Sequence, residues 1–376
     1  MTEIDDLPSR LNDFFAAHSV PESTASEDVA AARAFQHALF DAGLAGLSWP
    51  TELGGQGLPN ESEQIFTSVA QGFRVPIAPL TLTLKVCGPA VVEFGTPEQH
   101  HRHVSATLRG EQVWCQLWSE PEAGSDLAGV RTRAIRESDG GWLIEGQKIW
   151  TSGGHYADYA LLLCRTDPDA PKHKGLSMMI VDMRHPGITI RPLRQMTGDA
   201  EFNEVFLDQL RVPADAVLGE PGQGWRITTW MMGRERISVG TEMRNSRTLA
   251  WSDVHAMAVS AGRAEDPLVR ARLALLHIHQ QGAHLLSLRL AQEIRAGAGN
   301  ALLGSAIKVA EAAVIREGAE LAIQILGADA AAWDPDDASQ SRAAEAVLMS
   351  PAFAIGGGTD EIQLNTLGEH VLGLPR

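Results

Sequence analysis

The sequence predicts an α+β protein of more than one domain: a helical region, then a β-region, then a helical bundle. Three observations carry this. The chain has 376 residues, more than one ordinary hydrophobic core sustains. Its hydrophobic period changes from helical to strand-like near residue 113 and back again near residue 219. The last region contains two stretches of about thirty residues each with helical apolar spacing, long enough for antiparallel bundle helices. The predicted domains are therefore 1–112, 113–219 and 220–376.

In the first region, ALFDAGLAGLSWP (38–50) has helical spacing and stops at Pro50, and PEQHHRHVSATLRG (97–110) reads as a helix stopped by Gly110. In the second, VWCQLWSE, TRAIRES, WLIEGQKIWTS, YALLLCR, LSMMIVDM, ITIRPL and NEVFLDQLRV are short and separated by Gly, Pro or Asp. Such close spacing predicts a compact barrel or sandwich, and SDGG (138–141) is a hairpin candidate. In the third, 268–297 and 300–327 are the long helices. Leu303, Ile307, Ala310, Val314, Leu321 and Ile325 fall at steps of three, four or seven, a stripe for one buried face.

A net charge of −16 argues against nucleic acid as a partner, because phosphates require a basic footprint. Cys87, Cys115 and Cys164 are few and widely spaced, which fits a reducing cytoplasm rather than a disulfide framework. The start MTEIDDLPSR is acidic and has no apolar core, so no signal peptide is expected. No run approaches the length of a membrane span. Dinucleotide, P-loop, zincin and nucleophile-elbow motifs are absent from the sequence. His100, His101 and His103 lack the accompanying Cys or carboxylates of a metal set and read as a solvated helix face.

Three stretches carry chemistry. LWSEPEAGSDLAG (117–129) puts Ser119 and Ser125 beside Gly124 in a loop whose N–H groups can cradle an anion. GQKIWTSGGHYAD (146–158) sets Trp150 beside Ser152 and open backbone, suited to a flat ring with a polar edge. Each stretch alone reads equally as a core Trp or a turn Ser. FAIGGGTDEIQ (353–363) places Gly356, Gly357 and Gly358 in a row, where one glycine would already end a helix. Three suggest a ligand pressed against bare backbone.

Together, S-E-P-x-A-G-S-D followed by G-x-K-x-W-[TI]-[ST], RQMTGDAEFNEVFLDQLRVPADAVLGEPGQGW (194–225) and GGTDEIQLNTLGEHVLGLPR (357–376) resemble the acyl-CoA dehydrogenase family over nearly the whole chain. The resemblance implies an N-terminal α-helical domain, a middle β-barrel domain and a C-terminal four-helix bundle, with FAD between the last two. By position, it implies that Ser119 and Ser125 bond the flavin and its phosphates, that Trp150 packs on the ring and that Ser152 reaches N5. Gln324 and Gly327 match residues that meet the FAD of a neighbouring subunit, and Thr359 would approach the flavin. The implied reaction removes an α-proton from an acyl-CoA while a hydride leaves the β-carbon. It needs donors at the thioester oxygen, among them the Gly357 N–H, and a carboxylate base.

Many relatives carry that base where this chain has Gly357. Others carry it in a Glu-Arg pair on a bundle helix, which makes Glu235 of MMGRERISVG (231–240) the candidate here, ahead of Asp360 and Glu361. A solvated acid between Arg234 and Arg236 is the alternative. The family's R-x-x-F is missing from HAMAVSAGRAEDP (255–267), and Leu364 stands where many relatives have Arg. RTDPDAPKHKG (165–175) and VLGLPR (371–376) resemble actinobacterial members, some acting on steroid side chains, that pair two different subunits. The expected partners are an acyl-CoA, bulky, branched or ring-bearing, an electron-transferring flavoprotein, and a second subunit, identical or different. A non-catalytic partner subunit and an acyl-CoA oxidase are the alternative functions.

Overall fold

Among the described residues, five α-helices precede the first strand: α1 Glu3–His18, α2 Val29–Asp41, α3 Glu61–Ala70, α4 Gly88–Phe94 and α5 Pro97–Leu108. The computed structural model describes residues 3–20, 28–242, 248–296, 301–331 and 338–375. Helix α5 starts where expected, because Thr96 and Gln99 form a reciprocal capping box ahead of Pro97. The helix expected over 38–50 forms only over 38–41, as the end of α2. α2 ends at Asp41, and Gly43 and Gly46 adopt φ of 65° and 59°. A Cβ at Gly46 would lie 2.7 Å from the Leu108 side chain, so the chain turns there instead of coiling.

All seven strand-like runs form strands: β1 Trp114–Leu117, β2 Arg133–Arg136, β3 Trp142–Ser152, β4 Tyr159–Arg165, β5 Leu176–Asp182, β6 Ile188–Leu193 and β7 Phe202–Val212. A two-residue strand, β8 Val217–Leu218, completes a sheet ordered β6-β7-β3-β2-β4-β5-β8, with β1 beside β4. The SDGG segment does close the β2–β3 hairpin, with Gly140 at φ 89°. Most pairs are antiparallel; β1 and β2 run parallel to β4.

The chain divides into two compact units. In the first, the N-terminal helices and the sheet share one core: Trp49, Val86 and Val104 pack with Trp114, Leu161 and Met178. Buried Asp158, just before β4, accepts from the Val113 N–H at 2.8 Å and from Arg33 of α2 at 2.6 Å. The first half of α6 Gly224–Glu242 adds Ile227 and Met231 to that core. The second unit holds the rest of α6 with α7 Trp251–Ser260, α8 Pro267–Arg295, α9 Ala301–Leu326, α10 Ala338–Ile355 and α11 Asp360–His370. Ile307, Val314, Leu321 and Ile325 of the expected α9 stripe are buried.

Each unit encloses one lysine. Lys148 on β3 has no exposed surface, and its Nζ donates to the Trp118 carbonyl and to Glu120 Oε1, both at 2.9 Å. The Glu120 carboxylate also accepts from the N–H groups of Arg131 at 2.6 Å and Thr132 at 2.8 Å. Burial works to raise the Glu120 carboxyl, but the Lys148 charge and these hydrogen bonds outweigh it and hold the group below the usual glutamate range. Burial pulls the Lys148 ammonium below its ordinary value. In the second unit, Lys308 of α9 is 1% exposed and donates to the Ala354 carbonyl at 3.0 Å and to Asp360 Oδ1 at 2.7 Å.

Breaking such a pair strands a buried charge, so Glu120→Gln is expected to lower unfolding stability by about 3 kcal/mol, with part recovered in Lys148→Met/Glu120→Gln. Urea unfolding measures both; a loss under about 1 kcal/mol would mean that the pair is no clamp. Because the Glu120 carboxyl is depressed, its contribution is complete above the ordinary glutamate value of about 4.3 and is lost as pH falls through the lower folded value. The gap between wild type and Glu120→Gln therefore closes in acid.

Candidate active site

The β3 strand loses register with β7 just after Lys148. Lys148 faces Val205 and Thr151 faces Asn203, so Ile149 and Trp150 both stand opposite Glu204. This is a β-bulge, a device that re-aims side chains. It gives Trp150 a φ of 61°, the left-handed region that a bulky residue avoids. Trp150 is 59% exposed, and among the described residues its ring meets only the edge of Phe202, centroids 6.1 Å apart. The Ile149 N–H, freed from the ladder, donates to the Ser119 carbonyl at 2.9 Å. Together with Lys148–Glu120, this bond ties the Ser119 loop to the Trp150 bulge. The two motifs that sequence alone left ambiguous are thus brought together.

Ser119 is half-buried at the end of β1. Glu120 and Ala123 exchange backbone bonds at 3.0 and 3.1 Å, which turns the chain tightly over Pro121 and Glu122. Ser125 is exposed beyond that turn, beside Gly124, whose missing Cβ would meet nothing within 4 Å. Thr151 is buried with its Oγ1 unpaired, and Ser152 is exposed at the strand end. Gly153 must be glycine, since a Cβ would sit 2.5 Å from the Tyr156 ring.

In the second unit, the three glycines link α10 to α11. Gly357 and Gly358 take φ of 68° and 87°. The Gly357 carbonyl accepts from Gln363 Nε2 at 2.8 Å, and a Cβ at Gly358 would lie 2.7 Å from that same nitrogen. A Cβ at Gly357 would meet nothing within 4 Å. Thr359 caps α11, its Oγ1 accepting from the Ile362 N–H at 3.2 Å. Asp360 is engaged by Lys308. Glu361 is exposed, and hydrogen bonds from its own N–H and the Thr359 hydroxyl hold its carboxyl below the usual range. Glu235 is half-buried on α6. Its neighbour Arg234 donates through Nε to the Lys85 carbonyl at 3.3 Å.

Gln324 and exposed Gly327 end α9, with Gly327 at φ 64°. Two arginines that the sequence did not single out hold this end. Arg263 donates to the Gln324 carbonyl at 2.7 Å, and Arg272 of α8 donates to Gln324 Oε1. Sequence reading also passed over Lys148, Glu120 and Lys308. The available signal was a lysine inside an otherwise apolar strand or Ala-rich helix, where a charge requires a partner. His100 Nε2 bonds the Val91 carbonyl and buried His103 Nδ1 bonds Gln112, so both are spent within the fold.

Models of the acyl-CoA dehydrogenase N-terminal, middle and C-terminal domains match residues 2–111, 115–210 and 222–372. Acyl-CoA dehydrogenase FadE34 of Mycobacterium tuberculosis is 40% identical over 342 residues, 91% of this chain and 46% of the relative's length. Acyl-CoA dehydrogenase IpdE1 of Mycolicibacterium smegmatis is 36% identical over 355 residues, covering 92% of this chain and 88% of its own. Among solved structures, the Tcur3481-Tcur3483 steroid ACAD superposes with a TM-score of 0.82 at 30% identity, covering 99% of this chain and 98% of that one. The ChsE4-ChsE5 complex from Mycobacterium tuberculosis gives 0.80 at 28% identity, covering 100% and 99%. On this evidence the chain belongs to the acyl-CoA dehydrogenase family, a family of FAD-dependent oxidoreductases.

Proposed function

We propose that this chain catalyses α,β-dehydrogenation of an acyl-CoA thioester carrying a bulky, branched or ring-bearing acyl group, with Glu235 as the base. The observation that carries the reading is the tie between the Ser119 loop and the exposed Trp150 bulge. It fits the cofactor of the family: an indole offered to solvent at a backbone cost, a buried unpaired Thr151 hydroxyl nearby in the chain, and exposed Ser125 and Ser152 hydroxyls. Ser119 and Ser125 would hold the flavin and its phosphates, Trp150 and Ser152 its ring, and Thr359 its neighbourhood. Gln324 and Gly327 would serve a neighbouring subunit's cofactor. Bound FAD supplies the hydride acceptor.

The protein's own part is to take a proton from the α-carbon and to stabilise charge on the thioester oxygen. The Gly357 N–H is assigned to that oxygen. Asp360 is unsuited as the base, since removing it from Lys308 would leave a buried ammonium alone. Glu361 is weakened as a base by the hydrogen bonds that stabilise its carboxylate. Glu235 lies on α6, outside that loop. A similar solved structure is named a steroid ACAD, which supports the choice of a ring-bearing acyl group. An electron-transferring flavoprotein is the proposed acceptor. The three cysteines are free thiols rather than disulfides, in keeping with the proposed cytoplasmic setting; among the described residues no helix is long and apolar enough to cross a membrane.

A second reading, a subunit that works only with a different acyl-CoA dehydrogenase-like chain, is favoured by Leu364 and by the missing R-x-x-F. Co-purification separates the two: flavin retained only in the presence of another chain supports the pair. Peroxide formed at turnover speed in air would instead indicate an oxidase.

The main test is anaerobic titration of flavin absorbance with ring-bearing and straight-chain acyl-CoA esters. Wild type is expected to bleach, and Glu235→Gln to keep its flavin while bleaching about 10²–10⁴-fold more slowly. Bleaching at an unchanged rate would remove Glu235 from the mechanism. Trp150→Gly relieves a left-handed bulky residue, so the flavin-free protein is expected to melt no lower than wild type, while flavin retention falls. A lower melting point would show that the indole serves packing instead.

A further inference from the structure

The glycine row between α10 and α11 is held from both sides, and one of its donors is unspent. Upstream, the Gly356 N–H donates to the Ala352 carbonyl at 2.8 Å and continues α10 by one step. Downstream, Gln363 Nε2 donates to the Gly357 carbonyl at 2.8 Å. The peptide that carries the Gly357 N–H lies between these two bonds. That N–H has no acceptor among the described residues, and Gly357 is exposed. The Thr359 hydroxyl, the next polar side chain along, is already engaged by the Ile362 N–H and by Glu361.

Gln363 is buried behind the row. It is 3% exposed and stands on the first turn of α11. Its own N–H donates to the Thr359 carbonyl at 2.9 Å, and three residues ahead of it Asp360 is fixed by buried Lys308 at 2.7 Å. The amide therefore projects from a rigid turn. Gly357 and Gly358 are the opposite. Their φ values of 68° and 87° lie where glycine moves freely, so the row alone does not fix the direction of an N–H. A Cβ at Gly358 would stand 2.7 Å from the amide nitrogen, whereas a Cβ at Gly357 would meet nothing within 4 Å. The two glycines thus have separate duties. Gly357 offers the N–H, and Gly358 admits the amide that holds it.

We infer, resting on the dehydrogenation proposed above, that Gln363 is a positioning residue for that reaction. By pinning the Gly357 carbonyl, its amide steadies the preceding peptide, so that the Gly357 N–H is presented to the thioester oxygen as negative charge develops there. A donor fixed before the reaction costs no reorganisation when the charge appears. Without the clamp the glycine pair can turn that N–H aside, and a misplacement of about 1 Å costs roughly a hundredfold in rate. In this role Gln363 touches neither substrate nor flavin. Its removal therefore weakens the transition state more than it weakens ground-state binding.

The carbonyl stretch of a bound thioester tests it. The probe is a ring-bearing 3-thiaacyl-CoA, whose sulfur has no hydrogen to give as hydride. It is bound to the flavin-loaded protein and read by difference infrared against its carbon-13 carbonyl form. A hydrogen bond to the thioester oxygen lowers the stretch. Wild type is expected to show that lowering, and Gln363→Met, which keeps the volume without the donor, to lose most of it. With a ring-bearing acyl-CoA, Gln363→Met should bleach its flavin roughly tenfold to a hundredfold more slowly at saturation, with little change in the half-saturating concentration. Gly358→Ala keeps Gln363 but sets a Cβ where the amide nitrogen lies, so it should reproduce both effects and serves if Gln363→Met does not fold. A lowering retained in full by Gln363→Met, or by Gly358→Ala, overturns the role of Gln363 and leaves the proposed function standing. No lowering in wild type removes the Gly357 N–H from the thioester oxygen, and the inference falls with that assignment.

Discussion

Two buried ammonium groups, one in each unit, anchor the loops that carry the candidate residues. A lysine without water must find acceptors, and Lys148 and Lys308 solve the problem in the same way. Each takes one backbone carbonyl and one carboxylate. Those acceptors lie next to the residues proposed to meet the cofactor or substrate: Trp118 and Glu120 flank Ser119, and Ala354 and Asp360 bracket the glycine row. The loops are therefore fixed by electrostatics from beneath rather than by the packing of their own small residues. A partial break leaves a charge unpaired in a dry environment, so the arrangement is close to all-or-none.

This firm anchoring is what makes strain affordable at Trp150. A bulky residue at positive φ persists only where its surroundings over-determine it. Here the residue two before it is Lys148, and the residue between them bonds Ser119. The bulge costs backbone energy and leaves an indole in water, which a strand serving structure alone would avoid by staying in register. The second unit reaches a comparable result without strain, since glycines occupy the positive-φ positions and Gln363 fills the space that a Cβ at Gly358 would need.

What the sequence made legible follows from the range of each signal. Periodicity is local and repeats, so all seven long strands and both long bundle helices could be read. β8 has two residues, too few to show a period. The stretch 38–50 kept helical spacing after α2 had ended, because apolar spacing does not reveal that Gly43 and Gly46 turn left-handed. The family was legible because motifs far apart agreed in order, and the matched domain models show that resemblance to be correct. The lysine clamps were not legible. Their partners lie 28 and 52 positions away, and nothing in a single chain links such positions.

The same limit bears on the assignment of the base. Sequence proximity favours Asp360 and Glu361, which follow the bare Gly357 by three and four residues. The structure gives both acids other work: one neutralises Lys308, and the other sits at the start of α11 among donors that stabilise its ionised form. A carboxylate that gains this much from staying ionised gives up driving force for taking a proton. Nearness along the chain therefore counts against these residues, because the turn that brings them close to the glycines also supplies the donors that occupy them. A base must bring a carboxylate that the loop does not itself consume, which is why the proposal places it on a different helix.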